Sequence, residues 1–150
     1  MGNSIKIKNY SDIFIEKAAA EILKPGHLLM LTSADKVQKH NVASGNVLLL
    51  VGIEDALQGK GIEDAFAAGD VVRVWIPQRG DVVRLRLKDG QNVVIGDWVE
   101  SAGDGTVQKY AVDSTGAYFH AQLVGQVLKA VDMSGSSAVD PDGFVEVLIN

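Results

Sequence analysis

The sequence of 150 residues contains no cysteine, which excludes disulfide bonds and thiolate metal sites. Packing or association must therefore stabilise the fold. Long hydrophobic runs are absent too, because the longest, Val47 to Ile53, is far shorter than the ~20 residues of a membrane-spanning helix. The N-terminus, where Lys6 and Lys8 alternate with apolar residues, does not have the pattern of a signal peptide. We therefore expect synthesis in the cytoplasm and no membrane contact.

Positive charge is also in short supply. The chain has 14 Lys and Arg residues against 19 Asp and Glu, a net charge of -5 at pH 7, and no local basic patch. A protein with this balance has no general attraction for polyanions, so we predict no direct binding of nucleic acid. The length suits one domain, and a content of 47% hydrophobic and 22% charged residues is typical of a soluble globular protein.

Patterns that would indicate catalysis or a cofactor are missing. Gly59-Lys60-Gly61 lacks the spacing and the hydroxyl residue of a phosphate-binding loop. Asp140 and Asp142 resemble part of a calcium loop, but no Glu completes it, so we interpret the segment as a turn. Zinc-ligand spacing is absent among the three histidines, His27, His40 and His120. We therefore predict that the protein is not an enzyme and has no catalytic residue, no metal and no cofactor.

A glycine followed by a polar residue and then by apolar residues recurs four times, at Gly26-His27-Leu28-Leu29, Gly69-Asp70-Val71-Val72, Gly80-Asp81-Val82-Val83 and Gly96-Asp97-Trp98-Val99. Each copy predicts a tight turn that leads into a strand, because glycine accepts the positive φ that such turns require. Arg79-Gly80-Asp81 matches a cell-adhesion tripeptide, but it completes the third copy, and we interpret it as a turn.

Alternating apolar residues predict the strands themselves. Val72, Val74 and Ile76 share one strand face with Arg73 on the other, and residues 83–87 alternate in the same way. Short strands separated by turn signals every 8–12 residues or so indicate a mainly β fold. We predict a small antiparallel β-barrel or sandwich with at most one or two short helices.

Local patterns add four more specific expectations. Glu16 to Leu23, with three consecutive alanines, predicts a short helix, and Phe66 to Gly69 predicts one or two helical turns. The most apolar run, Val47 to Val51, predicts a central strand. Asp89-Gly90 predicts a short hairpin.

The first part of the chain differs from the rest. We predict an extended N-terminal arm over residues 1–17 and a single β-rich domain over residues 18–150. Burying an apolar side chain contributes ~1.5–3 kcal/mol, whereas ordering the backbone costs ~1–2 kcal/mol per residue, so the arm becomes ordered only against another surface. That surface is predicted to be a partner; the alternative is an edge strand of the chain's own domain. The predicted interface residues are Ile5, Ile7, Tyr10, Ile13 and Phe14.

Several turn and strand segments together resemble the capsid decoration, or head cement, proteins of phages and prophages. The resemblance covers most of the chain from Glu21 onward and leaves out the arm. Its motifs are structural and not catalytic. They are Lys24-Pro25-Gly26-His27-Leu28-Leu29, Val37-Gln38-Lys39-His40, the run from Ile53 to Ile62, Ala68-Gly69-Asp70, the run from Gly90 to Asp97, and Ala130-Val131-Asp132.

The resemblance implies a structural virion protein, a β-rich subunit that binds the outside of an assembled, expanded capsid and stabilises the shell. It further implies a homo-trimer, a lattice of the major capsid protein as partner, and no enzymatic residue. An arm that contacts neighbours in such a lattice would gain by multivalency. The alternatives are another virion module, such as a head fibre base or a tail component, and a small β-barrel that binds a ligand.

Overall fold

The computed structural model describes residues 4–10, 12–112, 114–135 and 143–150, and in these ranges it is mainly β. Two 3-10 turns, η1 (Ala56–Gln58) and η2 (His120–Gln122), supply its only helical segments there. No helix in the described ranges has the length and hydrophobicity needed to cross a membrane. The strands are β1 (Lys6–Lys8), β2 (Phe14–Ala19), β3 (Leu29–Leu31), β4 (Lys36–Lys39), β5 (Val51–Gly52), β6 (Val71–Trp75), β7 (Val82–Leu87), β8 (Asn92–Val93), β9 (Trp98–Ser101), β10 (Val107–Lys109), β11 (Gly125–Val127), β12 (Val131–Asp132) and β13 (Gly143–Ile149).

Five strands close into a barrel in the order β7-β10-β9-β11-β13, and β13 returns to β7. The β7–β13 ladder is antiparallel and runs from Gly143, opposite Leu87, to Leu148, opposite Val82. A parallel contact between Val107 and Leu87 closes the other side. The alternation predicted for residues 83–87 is confirmed, since every second side chain is buried inside the barrel. Its fully buried residues include Val83, Leu85, Leu87, Val99, Val107, Val145 and Val147.

A second sheet has the order β3-β4-β2-β6-β5. An antiparallel bridge between Leu28 and Val51 joins its two ends, so this sheet also curls into a ring. Val72 and Val74 point inward with no exposure, as their alternation with Arg73 predicts. Ala19, Leu23, Leu29, Val37, Leu50 and Phe66 complete this second core. The mainly β, barrel-type fold is therefore confirmed, although the β2–β4 and β7–β10 contacts are parallel and not antiparallel.

The four glycine-started segments share one turn. Their glycines have φ between +88° and +96°, a region that only glycine adopts without strain. The residue after each glycine then accepts a hydrogen bond from the backbone N–H three positions before it. The acceptors are His27 Nδ1 for Lys24, Asp70 for Ala67, Asp81 for Gln78 and Asp97 for Val94, at 2.7–3.1 Å. This side-chain bond fixes the turn that starts each strand.

The predicted helix from Glu16 to Leu23 is wrong. Residues 14–19 form β2, which lies between β6 and β4 and pairs Glu16 with Arg73. Helix propensity is a weak preference, and the pairing with two neighbours outweighs it here. The predicted helical turn at Phe66 to Gly69 is also wrong. Phe66 instead forms a bridge with Leu23.

Two further local predictions are corrected. The run Val47 to Val51 is not a central strand, because only Val51 lies in β5 while Leu48 is 69% exposed. The turn at Asp89-Gly90 is present, with Gly90 at φ +79°, but it does not join a hairpin. Instead β8 pairs with β12, which follows much later in the chain. The segment with Asp140 and Asp142, which we interpret as a turn, lies outside the described residues.

Candidate partner-binding site

A groove of about 540 Å³ runs along the outer face of the second sheet. One wall is the sheet itself, which contributes Glu16 from β2 and Val71 and Arg73 from β6. The other wall is the segment of residues 53–58, which includes η1. We call this feature the 53–58 groove; it is lined by Lys6, Glu16, Ile53, Glu54, Asp55, Ala56, Leu57, Gln58, Phe66, Val71 and Arg73.

The groove exposes apolar surface that the described part of the chain leaves uncovered. Leu57 is 91% exposed at the tip of η1, and Val71 is 63% exposed on the facing strand. Phe66, almost fully buried, lies at the bottom. A single exposed apolar residue is ordinary, but two that line the same groove leave apolar surface open to a partner.

Charged residues line the same groove and are held in place. The Lys6 ammonium and the Arg73 guanidinium lie 4.7 and 4.4 Å from the centre of the Phe14 ring. The Phe14 contact orients the Arg73 guanidinium without neutralising it, whereas the Lys6 ammonium is also paired with the Asp12 carboxylate at 2.7 Å. Glu54 accepts a hydrogen bond from the Ile5 backbone N–H at 3.2 Å. The groove therefore presents both signs of charge around its apolar centre.

The five predicted interface residues do not lie together. Ile5 has no exposed surface and packs in the barrel-side core, so it is unavailable to a partner. Phe14 is half-buried and contacts Lys6 and Arg73, which line the groove. The other three are exposed, Ile7 by 39%, Tyr10 by 71% and Ile13 by 49%.

The N-terminal residues belong to the chain's own sheets. β1 pairs with β7, and β2 lies inside the second sheet, so the predicted boundary at residue 17 falls within a strand. Binding of a partner by this segment stays a prediction. Sequence reasoning missed Leu57 and Val71, which line the groove. The available signal was Leu57 itself, an apolar residue among polar ones just before the Gly59 turn.

The three histidines occupy separate places. His27 is buried in its turn, and its pKa is lowered to about 3. Burial is the largest cause of this shift, and the positive charge of the Arg86 guanidinium is the next. His40 is also buried and bonds Ser101 Oγ through Nδ1 at 2.7 Å. His120 is exposed in η2. Among the described residues no three His, Asp or Glu side chains come together in a way that could hold a metal ion.

The adhesion-like tripeptide is not presented to solvent. Asp81 is fully buried, and its carboxylate accepts hydrogen bonds from the backbone N–H groups of Tyr10 and Gln78, both at 2.7 Å. A carboxylate held in this way cannot reach a receptor-bound cation. The turn interpretation of Arg79-Gly80-Asp81 is therefore confirmed.

Comparison with known proteins gives a likeness in fold. The sequence matches no protein-family model, and no curated protein is significantly similar to it. The fold is similar to that in the crystal structure of the head fibre gp8.5 N base of bacteriophage phi29, with a TM-score of 0.59. The likeness covers 93% of this chain and 95% of that one at 11% sequence identity. At this identity the likeness extends to the fold alone.

Proposed function

We propose that this chain is a structural protein of a phage virion that binds the outside of the assembled capsid. The observation that carries the proposal is the likeness, over almost the whole length of both chains, to a protein described as the base of a phage head fibre. The decoration-protein motifs from Glu21 onward support the same kind of role from the sequence. The role is structural, without catalysis, and its site is the virion exterior.

The 53–58 groove is the surface that we propose for the shell. Its centre is apolar through Leu57 and Val71, and its rim carries Lys6 and Arg73 together with acidic residues. Apolar centres surrounded by polar rims are typical of specific protein interfaces. An extended segment of the major capsid protein fits an open groove of this kind. The homo-trimer implied by the resemblance would present three such grooves, and the binding would then be multivalent.

Co-sedimentation with expanded capsids of the phage or prophage that encodes the chain tests this proposal. Leu57→Ser should weaken binding about 10–100-fold, because burial of a leucine contributes ~1.5–3 kcal/mol. Leu48→Ser is the matched control, since Leu48 is 69% exposed and does not line the groove. Equal binding of both variants would assign the shell contact to another surface, and no binding of the unchanged chain would overturn the proposal.

A second candidate, a head fibre base, is favoured by the likeness in fold to the phi29 head fibre base. The two candidates differ in what they do to the shell. A cement protein raises the temperature at which capsids release DNA, whereas a fibre base occupies the shell without this effect and carries a further fibre segment. Measuring DNA release with and without added protein separates them, and mass in solution tests the trimer.

A further inference from the structure

Three of the nine aromatic rings, those of Trp98, Tyr110 and Tyr118, lie together on the outer face of the barrel, and Phe119 is the next residue along the chain. Trp98 is in β9, Tyr110 follows β10, and Tyr118 and Phe119 precede η2. The Tyr118 ring stacks on Tyr110 with centroids 5.5 Å apart and lies 6.5 Å from Trp98 at a tilt. We call these four residues the aromatic platform. It lies on a different sheet from the 53–58 groove.

The platform is both open and rigid. Tyr118 is 54% exposed and Phe119 52% exposed, while Tyr110 beneath them is almost fully buried. The Phe119 backbone N–H donates to the Tyr110 hydroxyl at 3.1 Å, which fastens the loop to the barrel. The Tyr110 backbone N–H in turn donates to the Trp98 carbonyl at 2.8 Å. A ligand would therefore meet aromatic rings that are already positioned, and binding would order little of the protein.

Amide side chains border the platform on the same face of the sheet. Gln126 lies opposite Trp98 across the β9–β11 ladder and donates to the Gly96 carbonyl at 3.1 Å. Gln108, two residues before Tyr110, donates to Glu100 at 3.0 Å. Each amide carries both donors and an acceptor and can bond hydroxyl groups of a ligand in either direction.

We propose that the aromatic platform binds a carbohydrate, specifically a β-linked chain of pyranose rings. The flat faces of such rings carry axial C–H groups, which pack on the electron-rich faces of aromatic rings, while their hydroxyl groups bond to amides and carboxylates. The exposed Tyr118 ring, stacked on the buried Tyr110 ring, and the neighbouring glutamines supply the two halves of this recognition. The proposal does not depend on the capsid role proposed above.

Two other classes of ligand fit the platform less well. Nucleic acid also stacks on aromatic rings but requires positive charge along its backbone, and the nearby Lys109 ammonium is paired with Asp97 at 3.1 Å. A stable protein interface needs ~800 Å² from each partner, whereas two half-exposed aromatic side chains offer roughly 200 Å². An area of that size suits a few sugar rings.

Titration of the full chain with chitohexaose and cellohexaose, followed by tryptophan fluorescence, tests the proposal. Trp98 reports on the platform, and Trp75 is fully buried elsewhere. We expect a saturable change in fluorescence, and an affinity at least 10-fold lower in Tyr118→Ala and Phe119→Ala. The affinity should be unchanged in Tyr10→Ala, the matched control, because Tyr10 is a 71% exposed tyrosine that does not belong to the platform. Maltohexaose, whose α-linked chain is curved, should bind more weakly.

Three results would overturn the proposal. They are the absence of saturable binding to both β-linked hexasaccharides, equal binding by the unchanged chain and Tyr118→Ala, and tighter binding of a dT oligonucleotide than of the saccharides. Capsid co-sedimentation of Tyr118→Ala separates this proposal from the capsid role. We expect it to be unchanged, and a loss there with unaltered saccharide binding would make the platform a shell contact instead.

Discussion

Among the described glycines, Gly125 is the one at which an added Cβ would come nearest to another atom, and this makes the fold testable at one atom. Gly125 lies in β11 between Val99 of β9 and Ile149 of β13. A Cβ added there would clash with the Leu148 carbonyl oxygen, far inside the van der Waals contact distance, and would lie 2.8 Å from the Val147 side chain. The obstructing oxygen belongs to the backbone, so no side-chain rotation relieves the contact.

Gly125→Ala is therefore expected to destabilise the protein by about 3–5 kcal/mol. Overpacking costs about 1–3 kcal/mol, and the displaced strand weakens about two ladder hydrogen bonds at about 1 kcal/mol each. Two further variants calibrate the effect. Gly96→Ala meets no atom but has φ +90°, so we expect about 1–2 kcal/mol. Gly135→Ala meets neither an atom nor a positive φ, and we expect a change within about 0.5 kcal/mol.

Urea denaturation monitored by circular dichroism measures the three differences, provided that the denaturant slope stays the same among the variants. The order of stability should be Gly135→Ala, then Gly96→Ala, then Gly125→Ala. If Gly125→Ala were as stable as Gly135→Ala, the register of β11 against β13 would be refuted, and with it the closure of the barrel.

Two other outcomes follow from buried polar groups. Because the pKa of His27 is about 3 in the folded chain and near 6.5 when unfolded, only the unfolded chain takes up a proton as pH falls below 6.5. Protonation of His27 in the unfolded chain should lower the free energy of unfolding by about 1.4 kcal/mol per pH unit from pH 6.5 towards pH 4. Unfolding measured as a function of pH should lose this contribution in His27→Asn and keep it in His120→Gln. Asp81→Ala should cost about 3 kcal/mol in thermal or urea unfolding because it leaves two backbone donors without their acceptor, whereas Asp70→Ala, exposed and accepting one bond, should cost about 1 kcal/mol. Equal costs for the two aspartates would contradict this reasoning.

Local patterns predicted the strands that are amphipathic over their whole length. Residues 72–74 and 83–87 alternate between apolar and charged residues, and the apolar face of each is buried. The recurring glycine turns were predictable for the same reason, since positive φ depends on the residue itself. The predictions failed where pairing with a strand that is distant in sequence decides the structure. The three alanines near position 19 form a strand because β6 lies beside them, and β8 finds its partner some forty residues later.

The candidate site shows the same division. Exposed apolar residues near the N-terminus, such as Ile7 and Tyr10, could be identified as unusual from sequence alone. Leu57 also stands out among its polar neighbours, but its position beside Val71 in one groove could not be identified, because it depends on how η1 lies against the second sheet. Arg86 is the opposite case. Its alternation placed it on the outer face of β7, but Pro25 and Ile62 carbonyls accept its hydrogen bonds and the Phe144 ring covers it, so it is fully buried.

Closing both sheets into rings has a consequence for crowding. An open sheet edge offers backbone groups that can pair with the sheet edge of another chain. Proteins at high local concentration are therefore prone to aggregate through such pairing. In the described ranges the strands of both rings use these groups on each other, and β1, β8 and β12, which lie outside the rings, are only two or three residues long. Subunits packed side by side on a surface would therefore recognise one another through side chains alone, which keeps each contact specific and each subunit separately folded.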